Sequence, residues 1–259
     1  MAYVLGYLFA DGSLELAPQN RGNYVRVSSV DRDRIVLIRS LLRSSHPIYK
    51  YKQRANTRAQ YLLRIGSKEV CASLQELGLA ANKSLTMRFP SVPPAYLSSF
   101  VLGYFDGDGG AYLDRDSARN VKRLLTVFTS GSREFLLELH RMLETHAHLD
   151  ARQLTKHGSA SHAFQMRYST RDSLRLFLFL YPGTSQGLGM RRKYAIFAKY
   201  LALRRLSKGD LREVLDSKGP VAKKQRGGLQ ILYAGVRIPP GPLVRKSASR
   251  GGGTQTHSA

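Results

Sequence analysis

Asp11 and Asp108 are the first residues in this chain whose type and spacing suggest chemistry. Each closes a nine-residue stretch with its neighbour glycine: Val4-Leu5-Gly6-Tyr7-Leu8-Phe9-Ala10-Asp11-Gly12 recurs as Val101-Leu102-Gly103-Tyr104-Phe105-Asp106-Gly107-Asp108-Gly109, 97 residues later. Both stretches read as helices. Gly6 and Ala10 are four apart, as are Gly103 and Gly107, so each helix carries small residues on one face. Small stripes let two helix backbones pack closely, which would bring Asp11 and Asp108 together at the helix ends. Each carboxylate would then stand at the negative end of a helix dipole, and two side by side repel. A divalent cation relieves both penalties. Oxygen donors suit Mg²⁺, held by carboxylate, backbone carbonyl and phosphate oxygens. Gly12 and Gly109 are expected to end the helices in the left-handed region.

The elements that must position these groups repeat as well. Val27-Ser28-Ser29 before Asp31-Arg32-Asp33 parallels Phe128-Thr129-Ser130 before Ser132-Arg133-Glu134, and Tyr61–Ile65 parallels Phe164–Tyr168. The offset grows to 101 and then 103, the mark of small loop insertions between two copies of one fold. Each copy predicts helix, two strands, helix, two strands, helix. In the first, strands are expected at Ser13–Ala17, Tyr24–Val30, Ile48–Arg54 and Gln60–Ile65. A helix N-capped by Asp31 carries Ile35, Ile38, Leu41 and Leu42 at helical spacing, and another spans Ser67 to Leu77. The second copy has strands near Ala111–Arg115, Arg123–Thr129, Arg152–Lys156 and Ala163–Ser169, with helices at Ser132–Thr145, Arg171–Leu180 and Met190–Arg204. Pro93 and Pro94 join the copies and can start the second motif helix. The first motif begins three residues after Met1 and predicts a shorter helix than the second. The chain thus divides into a first repeat over 1–90, a second over 91–206, and a Gly/Pro-rich basic tail over 207–259 expected to be disordered. The fold class is α+β, two pseudo-symmetric αββαββα units.

The charge balance selects a partner. Of 259 residues, 41 are Lys or Arg and 18 Asp or Glu, a net +23. The tail holds 10 basic and 3 acidic residues, so the body alone carries +16. Such an excess favours a polyanion, and nucleic acid is the commonest. The lone Cys71 excludes an intramolecular disulfide and a Cys-rich zinc site, and reads as a core residue. No apolar run reaches the roughly 20 residues of a membrane span, and no signal peptide is evident, so a soluble intracellular protein is expected. Asp106-Gly107-Asp108-Gly109 is not a calcium loop, because Ser117 stands where the bidentate Glu would be. His146 and His148 read as solvated rather than as ligands. Gly183, Gly187 and Gly189 lack the Lys-Ser/Thr of a nucleotide loop.

The two nine-residue stretches resemble the LAGLIDADG motif, and two copies about one hundred residues apart resemble the single-chain homing endonucleases of that family. The resemblance spans roughly residues 3–205 in element order. It implies a saddle-shaped DNA-binding sheet surface and hydrolysis of phosphodiester bonds in double-stranded DNA with Mg²⁺ or Mn²⁺. Asp11 and Asp108 would be the metal ligands, with backbone oxygens of Ala10 and Gly107 beside them. The family also implies a basic residue near each pocket, and Lys83 and Lys193 are the best matches, for transition-state charge stabilisation or water orientation. Phe9, where the second motif has Asp106, is expected to pack.

The strands then read as a DNA-contacting surface. Lys50, Lys52 and Arg54 alternate with Tyr49 and Tyr51. Arg26 and Ser28 alternate with Val25 and Val27; Gln165 and Arg167 alternate with Phe164 and Met166. Arg152 and Lys156 share a face, and Arg64 and Arg115 complete the expected contact set. Such a sheet can lie in the major groove, on a target of about 20 bp that need not be palindromic. A monomer with internal pseudo-twofold symmetry is implied, and intron homing is the family's role. The alternative is a non-cleaving binder, an intron RNA maturase or a DNA-binding regulator on the same fold. Retention of both aspartates favours cleavage. An intein-borne nuclease is disfavoured by Met1 at the start and the absence of a terminal Asn. Arg (28) outnumbers Lys (13), a pointer to G·C-rich coding DNA and a bacterial cytoplasm rather than an organelle.

Overall fold

The computed structural model describes residues 1–17, 22–52, 58–81, 83–150, 154–156, 163–183 and 187–211. Arg54, Arg152 and most of the expected tail lie outside them. The first half runs α1 (Ala2–Asp11), β1 (Gly12–Ala17), β2 (Gly22–Ser29), α2 (Arg32–Leu41), β3 (Ile48–Tyr51), β4 (Gln60–Gly66) and α3 (Lys68–Glu76). A 3-10 turn at Lys83–Leu85 leads to the second half: α4 (Pro94–Asp108), β5 (Gly109–Arg115), β6 (Val121–Ser130), α5 (Arg133–Ala147), β7 (Thr155–Lys156), β8 (Phe164–Tyr168), α6 (Thr170–Leu180) and α7 (Arg191–Arg204). Each half holds one antiparallel four-stranded sheet, ordered β1-β2-β4-β3 and β5-β6-β8-β7.

Local chemistry explains most boundaries. Ser67 caps α3 by accepting from the Val70 amide at 3.2 Å, and Ser132 caps α5 through the Phe135 amide at 3.2 Å. Pro94 opens α4, where its missing N–H costs nothing. Asp31 occupies the N-cap of α2 but makes no capping bond, and its carboxylate instead accepts from Arg192 Nε at 3.2 Å. The motif helices differ in length as expected, 10 residues against 15. The segment expected to be tail from residue 207 starts with a helical turn at 208–211, in which Leu211 is buried and Lys208 donates to the carbonyls of Tyr181 and Gly183.

Alternation decides which sheet face meets the core. Leu14, Val25, Val27 and Leu63 are buried in the first sheet; Leu124, Phe128 and Met166 are buried in the second. These faces pack on the helices, with Phe9, Phe100, Tyr104 and Phe135 forming an aromatic cluster between the halves. Cys71 is buried in α3, as its apolar surroundings suggest.

The core is organised around α1 and α4. A Cβ built on Gly6 would stand 1.9 Å from the Phe100 carbonyl oxygen, and one on Gly103 would stand 2.0 Å from that of Tyr3. A Cβ on Gly107 would meet the Ala10 Cβ at 2.3 Å. The two backbones touch, and only glycine permits it. Gly12 and Gly109 correct the expected stop. Both are extended, with φ −87° and −95°. Their glycine requirement comes from crowding, because a Cβ would lie 2.6 Å from the carbonyl oxygen of Leu8 or Phe105 as helix passes directly into strand.

Gly6→Ala or Gly103→Ala should therefore destabilise the protein by at least about 3 kcal/mol, since backbone rather than a rotatable side chain must yield. Chemical denaturation measures it. A loss below about 1 kcal/mol would mean that the helices do not approach this closely.

Candidate active centre and nucleic-acid interface

Asp11 and Asp108 emerge at the same end of the α1–α4 pair, and each lies beside the other motif's backbone. One cleft, about 260 Å³, is bordered by Asp11 with Gly107, Asp106 and Tyr7; a second, about 140 Å³, is bordered by Asp108 with Ala10, Phe9 and Lys83. The crossing is a direct result of the close helix contact: a Cβ on Gly107 would reach Asp11 Oδ2 at 3.3 Å. The four residues proposed from sequence as metal site thus meet as two crosswise pairs.

The electrostatics are strained. Asp108 is half-buried and its carboxyl is pushed up to about 7, first by burial and then by the charge of Asp11, against the pull of Lys83 and Lys193. Asp11 is raised too, chiefly by desolvation within the cleft, although its outer edge is open to solvent and the shift is correspondingly screened.

Lys83 and Lys193 are buried, and their ammonium groups end among helix carbonyls. Lys83 Nζ donates to Gly12 O and, at 3.3 Å, to Ala10 O; Lys193 Nζ donates to Phe105 O, to Asp106 O at 2.8 Å and to Gly109 O at 2.6 Å. Each lysine satisfies carbonyls at a motif-helix C-terminus and neutralises its dipole next to the aspartates. Burial pushes Lys193 down to about 8 and lowers Lys83 as well, the carboxylates opposing both shifts.

The clefts are not equivalent. Phe9 packs on Phe135 with ring centroids 6.3 Å apart. At the matching place in the other half, Asp106 Oδ2 accepts from Tyr3 Oη at 2.8 Å and from the Met190 amide at 2.9 Å, with Arg34 Nη1 at 3.8 Å. Asp106 Oδ1 and Arg34 Nε have no partner among the described residues. Tyr7 Oη is buried beside the Asp11 and Ser29 side chains, whereas its counterpart Tyr104 donates to Thr129 O at 2.8 Å. The Arg34–Asp106 pair escapes a sequence reading because it joins the two halves, and Tyr7 because its contact with Ser29 depends on how α1 packs on β2.

Among the described residues no three His, Cys, Asp or Glu side chains converge. A cation here would draw two carboxylates and backbone carbonyls from the protein and its remaining oxygens from water and phosphate, a donor set that suits a hard ion. The buried Asp106 Oδ1, which has no partner among the described residues and borders the Asp11 cleft, and the raised carboxyls fit that reading.

The sheet faces away from the helices carry part of the expected contact set. Arg26 pairs across strands with Ser13 and Arg64, and Ser28 with Leu62, all on the outer face. Gln165 and Arg167 are also outward, with Arg167 Nη2 donating to Gln165 Oε1 at 2.7 Å. Lys50 and Lys156 are corrections. Lys50 pairs with Tyr61, on the side of Leu63, and Lys156 pairs with Phe164, on the side of Met166, so both project from edge strands toward the helix side. Tyr49 and Tyr51, not Lys50, share the outer face with Arg26. Alternation within β3 was right, but the face assignment needed the pairing register. Lys52 follows β3 as exposed coil, and Arg115 is exposed beyond a register shift. Sequence reading also missed Glu15 and Tyr24 on the first outer face and Tyr112 on the second.

Comparison with known families matches the chain to the LAGLIDADG-like domain over residues 1–78 and again over 95–180. The chain belongs to this family and has the homing-endonuclease fold in its two-motif, single-chain form. Among solved structures it is similar to the homing endonuclease I-WcaI bound to its DNA recognition sequence (12% identity, 75% of this chain and 84% of that one, TM-score 0.53). It is also similar to the meganuclease I-SmaMI bound to uncleavable DNA (13%, 86% and 96%, TM-score 0.52) and to the I-LtrWI homing endonuclease bound to target DNA (11%, 84% and 95%, TM-score 0.51). Comparison with curated proteins gives no significant sequence match. No helix among the described residues is long and apolar enough to cross a membrane.

The raised carboxyls predict a pH dependence of known sign. Native Asp108 holds its proton to about 7 against 3.8 for an ordinary Asp, so the folded state binds more protons in that window. Metal-free protein should lose stability as pH rises from about 4 to 7. Asp108→Asn should flatten the slope, and Mg²⁺ at pH 7.5 should raise the melting temperature of the wild type more than that of the variant. Equal thermal shifts would remove Asp108 from the cation site.

Proposed function

We propose that the protein is a divalent-metal-dependent endonuclease that binds a long, asymmetric DNA duplex as a monomer and hydrolyses one phosphodiester bond in each strand. The observation that carries this reading is the crosswise arrangement of Asp11 with Gly107 and Asp108 with Ala10 at the end of the α1–α4 pair. A pure DNA binder has no use for two carboxylates held against their helix dipoles and against each other. The DNA-bound state of the structural relatives named above supports duplex DNA as the partner.

In this reading each aspartate and the opposing backbone carbonyl hold the ion, and the two clefts address the two strands. When bound, the ion would supply charge for the scissile phosphate and acidity for an attacking water. Lys83 and Lys193 keep the helix ends neutral and set the positive potential around the phosphate. The Tyr7 hydroxyl stands beside Asp11, where it would hold the carboxylate in place. Residues 1–90 and 91–206 would each cover one half of the target, and intron homing is the biological role such cutting would serve.

The test is cleavage of a randomised duplex library with Mg²⁺ or Mn²⁺ by wild type, Asp11→Asn and Asp108→Asn. Cutting at one long site is expected, with each variant at least about 10²-fold slower and still bound to that site. Site-specific binding without cutting by the wild type would instead identify a maturase or regulator.

A further inference from the structure

The outer faces of the two sheets are built on one register but differ at its middle positions, although each also holds a carboxylate–arginine pair, Glu15 with Arg26 and Arg64 in the first and Asp114 with Arg123 in the second. In the first sheet Glu15 pairs with Tyr24, and Ser13 pairs with Arg26, which pairs in turn with Arg64. In the second sheet the same places hold Tyr112 with Leu125, and Gly110 with Val127 and Arg167. Glu15 is thus matched by Tyr112, Tyr24 by Leu125, and Arg26 by Val127. Only the arginine of the third strand, Arg64 or Arg167, is common to both.

Glu15 organises the first face. Its Oε2 accepts from Arg64 Nε at 2.7 Å, and its Oε1 lies 3.6 Å from Arg26 Nη1. The Arg64 guanidinium stands 3.5 Å over the Tyr24 ring, and Arg26 Nη2 reaches Tyr51 Oη at 3.4 Å. Tyr51 is itself anchored on Gln60 Oε1 at 2.7 Å. Both arginine side chains remain more than a third exposed, so their forks are held but available. A carboxylate in the middle of a face that meets DNA weakens attraction to phosphate. It compensates by fixing two guanidinium planes, and a fixed fork loses less freedom when it makes a bidentate contact. In the major groove that contact is guanine O6 and N7.

The second face has an apolar centre. Tyr112 is 39% exposed, and Leu125 and Val127 lie partly buried beside it on the same face. Contiguous apolar surface left open on a basic protein indicates a partner with an apolar group to cover. The thymine C5-methyl is the one apolar group that a base pair presents in the major groove.

Resting on the proposal that these faces meet duplex DNA, we infer that Arg26 and Arg64, ordered by Glu15, read guanine in one half of the target, while Tyr112, Leu125 and Val127 read thymine at equivalent distances from the centre in the other. Glu15 is the specificity-determining residue of the first half although it carries the wrong charge for DNA.

The experiment selects binding sites from a randomised duplex library, using the full chain in EDTA so that bound DNA is recovered uncut. The selected site should show guanine on one side of its centre where the mirror position on the other side shows thymine. Glu15→Gln should lower the guanine preference on the order of tenfold, leave the thymine half unchanged, and steepen the slope of log affinity against log salt by about 1. Val127→Ser should weaken only the thymine half, a few-fold. A site lacking this contrast, or a Glu15→Gln selection identical to that of the wild type, overturns the inference while leaving sequence-specific binding intact. A wild type that selects no sequence overturns the inference and the DNA-reading proposal together.

Discussion

Backbone contact between α1 and α4 is the constraint from which the rest of the structure follows. With Gly6 against the Phe100 carbonyl and Gly103 against that of Tyr3, the helix axes cannot separate or slide without either a steric clash or an open gap. That fixes the relation of the two halves. It also sends both chains out of the helix pair at the same end, where the next residues must begin a sheet at once. The extended glycines Gly12 and Gly109 make this turn possible, and each sheet then hangs from its motif helix with its inner face on the core.

The same contact creates an electrostatic problem. Two helix C-termini and two carboxylates converge in a small volume, and Asp108 responds with a carboxyl raised to about 7. The protein meets part of the problem itself. Lys83 and Lys193 reach in from the segments that close each half and bond the terminal carbonyls. What they leave unbalanced is what a cation and a phosphate would complete. Burial that depresses the lysines and raises the aspartates is one effect seen from two signs of charge, because each group is disfavoured in its ionised form.

Pseudo-symmetry holds in the backbone and fails in the side chains. An aromatic pair, Phe9 on Phe135, occupies one quadrant of the interface, and an ion pair, Asp106 with Arg34, the other. A buried ion pair adds little net stability over an apolar one, but removing either partner is costly. The difference makes the halves non-interchangeable: Asp106 borders the Asp11 cleft where Phe9 borders the Asp108 cleft. The outer sheet faces diverge further, with Glu15 and Arg26 in one half where Tyr112 and Val127 stand in the other.

The repeat, the element order, the α+β class and the two aspartates were legible in the sequence, because each rests on local pattern: helical spacing, strand alternation, capping residues and a nine-residue identity in type. The packing of Phe9 and the burial of Cys71 followed from the same patterns. Three things were not legible. Alternation in β3 and β7 identified two faces but not which one turns outward, so Lys50 and Lys156 were placed on the wrong side until the register with β4 and β8 fixed them. The extended conformation of Gly12 and Gly109 depends on carbonyls that a Cβ would strike, a three-dimensional fact. The Arg34–Asp106–Tyr3 cluster, the placement of Tyr7 beside Ser29 and the ordering of Arg26 and Arg64 by Glu15 join residues that only the folded chain brings together. Sequence determined which residues could do chemistry, since side-chain type and local period are properties of the chain. Tertiary structure decided which of them meet, because distances between segments far apart in sequence are set by packing and by nothing nearer.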